Sequence, residues 1–333
     1  MVGQSVYARS AQKENRMISV IKKRNIWFVL SGTLFLASVI LLFTVGLRFG
    51  IDFIGGSLLE VTFDGNRPTG QQVVEILTPL EIGDVVVQPI GEKGMIIRFI
   101  DVDEQKHQEI VKKLKEAFNP LKEPVDVGGA TVTLEANVLT ENRFESVGPV
   151  IGNELKQRTI WALIIVCIAI IGYVAFAFRK VSKPVSSWWY GLFAVIALVH
   201  DVTITVGVFV LLGKLYNLEV NAPFVAALLT ILGFSVNDTI VIFDRIRENL
   251  LRRAGEKFED IIDISVNEVM VRSINTSFTV LLTLFAILLF GGSTIRDFVL
   301  ALIVGVTVGS YSSIFLASPM LVVSQQIRKR RSS

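Results

Sequence analysis

A chain of 333 residues that is 51% hydrophobic and only 19% charged, with a mean hydropathy of +0.57, is too apolar for an ordinary soluble domain. Its net charge of +3 averages over basic residues that are strongly bunched. The single cysteine, Cys167, excludes an intramolecular disulfide, two histidines leave no basis for a structural zinc site, and no G-x-x-x-x-G-K-[ST] sequence is present for a P-loop ATPase.

A basic segment, residues 1–25, opens the chain. It is followed by Ile26–Leu47, the first of six stretches that reach the roughly 20 residues a membrane-crossing helix needs. No small-residue cleavage site follows this stretch, so it reads as a span and not as a removed signal. The others are Thr159–Phe178, Trp188–Leu212, Pro223–Phe243, about Arg272–Phe290 and Phe298–Val323. Lys and Arg bunch in alternate connections: Arg9 to Arg24, Arg179 to Lys183, Arg245 to Lys257 and the tail 324–333. The short intervening loops hold only Lys214 and Arg296. That bias places both termini in the cytoplasm.

Residues 48–158, between the first two spans, are then extracytoplasmic. Ser57–Phe63 alternates as a strand does, and Thr69–Leu80 has helical spacing with Thr69 as N-cap. Val85–Pro89 and Met95–Ile100 read as strands, Asp103–Phe118 as an amphipathic helix with His107 on its polar face, and Thr131–Leu139 as a last strand. The order β-α-β-β-α-β predicts a ferredoxin-like α+β domain inserted in a polytopic α-helical membrane protein. Before it, Gly50–Gly56 (GIDFIGG) leaves the first span. Gly55 and Gly56 permit a sharp turn, and Asp52 either caps that turn or serves ion entry.

Polar residues at membrane depth are costly and mark function. The third span carries His200 and Asp201, with Thr203 and Thr205 beyond them. The fourth carries Asn237 and Asp238 near its cytoplasmic end. The uninterrupted apolar part of the fifth, Phe278–Phe290, is too short to cross, so that helix must take Asn275, Thr276 and Arg272 to membrane depth. Arg272, Asn275, Thr276 and Thr279 share one face. Asp238 and Arg272 lie at one depth, where they can pair, and alternation between a paired and an ion-loaded Asp238 would form a gradient-driven switch. Between these spans, 244–271 is expected to be a cytoplasmic loop, with Asp244–Glu248 a solvated helix extension. Within it the apolar face Phe258, Ile261, Ile262, Val266 and Val269 suggests a helix along the inner membrane surface. Gly305 and Gly309 in the last span predict close helix packing.

The stretches GIDFIGGSLLEV (50–61), ESVGPVIGNEL (145–155), ALVHDVTITVG (197–207), GFSVNDTIVIFDRIREN (233–249), RSINTSFTVLL (272–282) and YSSIFLASPM (311–320) resemble, in order, the SecF branch of the SecD/SecF family, of the resistance–nodulation–division superfamily. Only Met1–Lys22 lies outside the resemblance. It implies a non-enzymatic subunit of the bacterial cytoplasmic membrane that pairs with SecD and associates with the SecYEG channel. After the SecA motor has acted, the pair would help draw an exported preprotein outward, using a proton or sodium gradient. It places the family's essential aspartate on Asp238 and its arginine on Arg272. Beyond the coupling ion, membrane lipid and these proteins, no cofactor, metal or nucleic acid is expected. An independent efflux pump would carry two such halves. An intramembrane aspartyl protease using Asp201 and Asp238 lacks the G-x-G-D context. A purely structural scaffold is the remaining alternative, and export from Asp238→Asn cells separates it from a coupler.

Overall fold

The computed structural model describes residues 19–118, 125–127, 130–132, 139–177, 186–253 and 255–332. The basic segment 1–18 and the linker 178–185 lie outside the described residues, as does much of the expected strand Thr131–Leu139. The chain divides into two compact units, Phe49–Thr159 and the remainder.

Helix α1 (Arg24–Thr44) precedes the smaller unit. There, a single helical turn, α2 (Ile51–Ile54), gives way at Gly55 and Gly56 to β1 (Gly56–Phe63). Thr69 caps α3 (Gly70–Leu77) as the sequence predicts: its hydroxyl accepts from the Gln72 amide at 3.4 Å, and Gln72 Oε1 accepts from the Thr69 amide at 2.8 Å. The hairpin β2 (Val86–Ile90) and β3 (Gly94–Phe99) follows, then α4 (Glu104–Phe118), started by Asp103, whose carboxylate accepts from the Lys106 amide. A two-stranded pair, β4 (Val125–Val127) and β5 (Ala130–Val132), stands apart from the main sheet. The last strand is β6 (Leu139–Val147).

The main sheet has the order β2-β3-β1-β6, with every neighbour antiparallel. Leu59, Val61 and Phe63 of β1, Ile97 and Phe99 of β3, Val73 and Leu77 of α3, and Ile110 and Leu114 of α4 close one apolar core. The expected strand Thr131–Leu139 is corrected to Leu139–Val147. That segment is mostly charged and polar, as an edge strand tolerates, and its backbone pairing with β1 selects it where residue propensity does not.

His107 is also corrected. It is buried, its Nε2 lies 2.9 Å from Glu141 and its Nδ1 3.2 Å from Glu104, and its ring stacks on Phe144. Helical spacing assigned it to the polar face, but β6 covers that face. Hydrogen bonds from Gln108 and then His107 hold the Glu104 carboxyl below the usual carboxylate range. Replacing His107 by Ala removes the stack and two charge-assisted contacts. We expect a loss of about 2–3 kcal/mol of local stability, read as faster amide exchange in α4 and β6 with exchange in the membrane helices unchanged.

The larger unit continues through α5 (Pro149–Ala177), α6 (Ser187–Tyr216), α7 (Ala222–Arg252), α8 (Phe258–Phe290), α9 (Ser293–Ser312), a π-helical turn (Ser313–Ala317) and α10 (Ser318–Ser332). Among the described residues, six helical segments are long and apolar enough to cross a membrane. The expected loop 244–271 is instead mostly helix. At 31 and 33 residues, α7 and α8 are each about 45–50 Å long, well beyond a ~30 Å hydrocarbon core, and only 253–257 connects them. The face carrying Phe258, Ile262 and Val266 does not lie on a membrane surface. It packs with Val20, Ile21, Tyr190, Ile246 and Val322 in the bundle core, because a partner face of equal apolarity is available within the chain. Asp263 accepts hydrogen bonds from the Ile21 amide and the Ser19 hydroxyl, tying the start of the chain's described part to α8.

Helix α9 packs against α6, α7 and α8. The Gly305 and Gly309 expectation holds: a Cβ on Gly305 would collide with Ile231 of α7, and one on Gly309 would stand 2.9 Å from Ser235 Cβ. By contrast α1 and α5 expose Val29, Leu36, Phe43, Trp161, Ile165 and Ile168, an apolar surface suited to lipid.

Candidate functional site

The best-connected polar group inside the bundle is Asp201, on α6. It is wholly buried. Its Oδ1 accepts from His200 Nδ1 at 2.9 Å, and its Oδ2 accepts from Ser235 Oγ of α7 at 2.6 Å and Ser312 Oγ of α9 at 2.7 Å. Three helices thus converge on one carboxylate, which the glycine at 309 lets them approach. Immediately after Ser312 the π turn interrupts the helix. Ser313 donates to the Ser235 carbonyl and shares a hydrogen bond with Thr239, and Ser318 returns to the Ser313 carbonyl. Such turns insert one residue into a helix and recur at functional positions.

Asp238, one turn along α7 from Ser235, is half-buried. It accepts a hydrogen bond from Ser273 of α8 through Oδ1, while Oδ2 is buried without a partner. Ser273 begins a hydroxyl series: Ser277 Oγ donates to the Ser273 carbonyl and meets Ser310 Oγ of α9 at 2.5 Å. Asp238 makes no ion pair with Arg272. The two share depth, but the helical phase of α8 turns Ser273 toward α7 and leaves the adjacent Arg272 exposed. Arg272 lines a pocket of about 480 Å³ with Asp244, Arg245, Arg247, Glu248 and Glu268, whose wall also includes Val241, one turn from Asp238.

Asn237, Asn275 and Thr276 are exposed too, and none is among the hydrogen-bond partners of Asp238. The predicted face of α8 is real, but it points out of the bundle. Of the residues that do contact the two carboxylates, His200 stands out in the sequence, whereas Ser235, Ser273 and Ser312 carry weak sequence signals. Only the i, i+4 spacing of Ser273 and Ser277, on the flank opposite Asn275, marks that side of α8. His200 and Asp201 prove more deeply built in than Asp238.

At the GIDFIGG turn, Asp52 sits half-buried in the first turn of α2. Gly55 and Gly56 have φ of +80° and +116°. A Cβ on Gly55 would approach Pro149 Cα to 2.8 Å, and one on Gly56 would approach the Phe99 carbonyl oxygen to 2.8 Å. Gly55→Ala meets both a left-handed backbone and a backbone clash, and is expected to cost about 1–3 kcal/mol. Faster amide exchange in β1 and at the start of α5 would report it; unchanged exchange would show that the turn relaxes freely.

Six membrane-length helices and carboxylates held inside their bundle define a multi-pass membrane protein with an intramembrane ionisable site. Residues 130–326 match the family model described as "Protein export membrane protein SecD/SecF, C-terminal", and residues 40–66 match the "SecD/SecF GG Motif". The chain belongs to the SecD/SecF family. It is 41% identical over 319 residues to a protein of Thermobaculum terrenum named "Protein translocase subunit SecF", covering 92% of this chain and 93% of that one. A relative of the same name from Sebaldella termitidis is 37% identical over 94% of this chain and 93% of its own. Among solved structures it is similar to SecDF of Thermus thermophilus, titled a translocon-associated membrane protein, with a TM-score of 0.75, 29% identity and 94% coverage of this chain. A structure titled SecDF in super-membrane-facing form gives a TM-score of 0.65 at 28% identity and 95% coverage. The chain spans only 39% and 40% of the lengths of those two SecDF chains.

Proposed function

We propose that this protein is an accessory subunit of the Sec translocase that works with SecD. Together they use a proton or sodium gradient across the cytoplasmic membrane to promote late steps of preprotein translocation. The observation that carries the reading is Asp238, a half-buried carboxylate with one oxygen unpartnered and the other held by Ser273, the residue next to Arg272 on α8. Adjacent helix positions differ by about 100°, so a rotation of α8 of that order exchanges Ser273 for Arg272 at Asp238. Ion arrival at the free oxygen and arginine arrival are then alternatives, which is the form a switch requires. The charged pocket lined by Arg272 offers a cytoplasmic approach to that site.

The SecD partnership is supported by the length relation to SecDF, in which this chain matches about two fifths. It is also supported by the exposed polar face Arg272, Asn275, Thr276 and Thr279, which is costly against lipid and calls for a protein neighbour. SecYEG and SecA are engaged through that assembly. The order β2-β3-β1-β6 supports a ferredoxin-like reading of the smaller unit, which the basic bias of the connections places outside, with both termini in the cytoplasm. There it would act on the preprotein. No cofactor beyond the ion is invoked, and no enzymatic chemistry.

Vesicles carrying this chain, SecD and the channel test the proposal. Collapse of either the proton or the sodium gradient should slow late translocation only where the chain is present. Equal slowing with and without it would refute the coupling role.

A further inference from the structure

The Asp238 site leaves the deepest ionisable pair of the bundle, His200 and Asp201, without a task. Their surroundings decide what they can do. Asp201 already accepts three hydrogen bonds, at 2.9, 2.6 and 2.7 Å, from His200 Nδ1, Ser235 Oγ and Ser312 Oγ. An ionised carboxylate, which only accepts, satisfies all three at once, with the Ser312 hydroxyl hydrogen shared between Asp201 Oδ2 and the Gly309 carbonyl 3.1 Å away. His200 is 5% exposed, its ring stacks near Phe35 of α1, and its Nε2 is buried with no partner. With Nδ1 donating to Asp201, an unpartnered Nε2 is a bare lone pair in the neutral ring.

The helices packed against the pair bring it no basic side chain. In α1, no Asp, Glu, Lys or Arg lies between Arg24 and Arg48, and the buried polar side chains there are Ser31 and Ser38. In α6 none lies before Lys214 other than Asp201 itself. In α7 the only one before Asp244 is Asp238. From Asp297 to Arg328, through α9, the π turn and most of α10, there is none, and the titratable side chain is Tyr311. No lysine or arginine within these spans can therefore neutralise Asp201. The cation nearest in the chain is one that His200 itself can become. A proton on Nε2 converts a buried net charge of −1 into a neutral imidazolium–carboxylate pair without displacing any existing hydrogen bond. A metal ion at Oδ2 would instead have to displace the two serine hydroxyls.

We propose that His200 and Asp201 form a second proton-binding site, loaded at His200 Nε2 and separate from Asp238. The proton adds to the Nε2 lone pair and leaves from it; Nδ1–H stays bonded to Asp201 throughout, and no other bond is made or broken. Asp201, held by Ser235 and Ser312, fixes the tautomer and supplies the counter-charge. Because Ser235 stands one turn from Asp238, and Ser312 adjoins the π turn, loading this site acts on an α7–α9 contact one turn along α7 from the first carboxylate. The role of this proton in export rests on the reading given above; its binding does not.

The test is nitrogen-15 magnetic resonance of the full chain in lipid bilayers, with histidine labelled. The protein has two histidines, so the signals lost in His200→Gln are those of His200. Between about pH 8 and 5, the range a histidine reports, His200 should pass from a neutral ring protonated at Nδ1 to a ring protonated at both nitrogens. In Asp201→Asn the doubly protonated form should be lost across that range, while in Asp238→Asn the transition should persist. A ring neutral at every pH, or a neutral ring protonated at Nε2, would overturn the proposal in the unmutated chain, without recourse to any variant that fails to insert. A transition unchanged by Asp201→Asn, or abolished by Asp238→Asn, would overturn it as well. Translocation that ignores the gradient while this transition remains would reject the export reading alone.

Discussion

Asp238→Asn is expected to reduce gradient-stimulated translocation by about ten- to hundredfold while the protein still inserts and still binds its partner. Asparagine keeps the shape of the side chain and can still accept from Ser273, so folding is largely spared. It cannot carry the charge that holds a proton or sodium ion, or that pairs with Arg272. Losing one charge-assisted interaction of about 1.5–3 kcal/mol corresponds to that range of rates. Ser273→Ala, which removes a single neutral donor worth about 0.5–1.5 kcal/mol, should cost only several-fold. The readout is the rate of release of a secreted reporter from vesicles with and without an imposed gradient. A variant that exports normally under the gradient, with Asp238 gone, would leave the carboxylate as mere helix glue.

The largest effect on stability belongs to a different carboxylate. Asp201→Leu orphans two buried donors, His200 Nδ1 and Ser235 Oγ, and leaves Ser312 Oγ only the Gly309 carbonyl, whereas Asp238→Leu orphans Ser273 Oγ. Hydrogen bonds between membrane helices are each worth about 0.6–1.7 kcal/mol. Asp201→Leu, which breaks two such bonds, should then destabilise the bundle by about 1–3.5 kcal/mol, and Asp238→Leu, which breaks one, by about 0.6–1.7 kcal/mol. Unfolding of the purified chain in mixed micelles with rising dodecyl sulfate measures both. Equal midpoints for the two variants would contradict the ranking. The two predictions separate cleanly, because Asp238 is expected to govern rate and Asp201 to govern cohesion of α6, α7 and α9.

Much of this was legible along the chain. The six spans follow from apolar length alone, since a ~30 Å core admits only helices of that length. The Thr69 cap and the α3, β2, β3 and α4 segments follow from local chemistry, and Gly305 and Gly309 follow from the need for close approach in a bundle without a hydrophobic drive between helices. What was not legible has one cause. His107, the strand β6, the apolar face from Phe258 to Val269 and the residue that Asp238 meets in this structure all depend on which face of an element meets another. Periodicity shows that a helix has two faces without saying what covers each. Thus β6 covers the supposedly wet side of α4, and residues 20 and 21 cover the supposedly membrane-bound side of α8.

The two carboxylates of the bundle illustrate the division. The sequence by itself determined that His200, Asp201, Asp238 and Arg272 are carried to membrane depth, because span length and the energetic cost of charge in hydrocarbon leave no other placement. Only the tertiary structure decided their partners. A step of one residue on α8 turns the side chain by about 100°. That step is why Ser273 rather than Arg272 faces Asp238, and why the quieter Asp201, joined to three helices, is the better-held of the two acids.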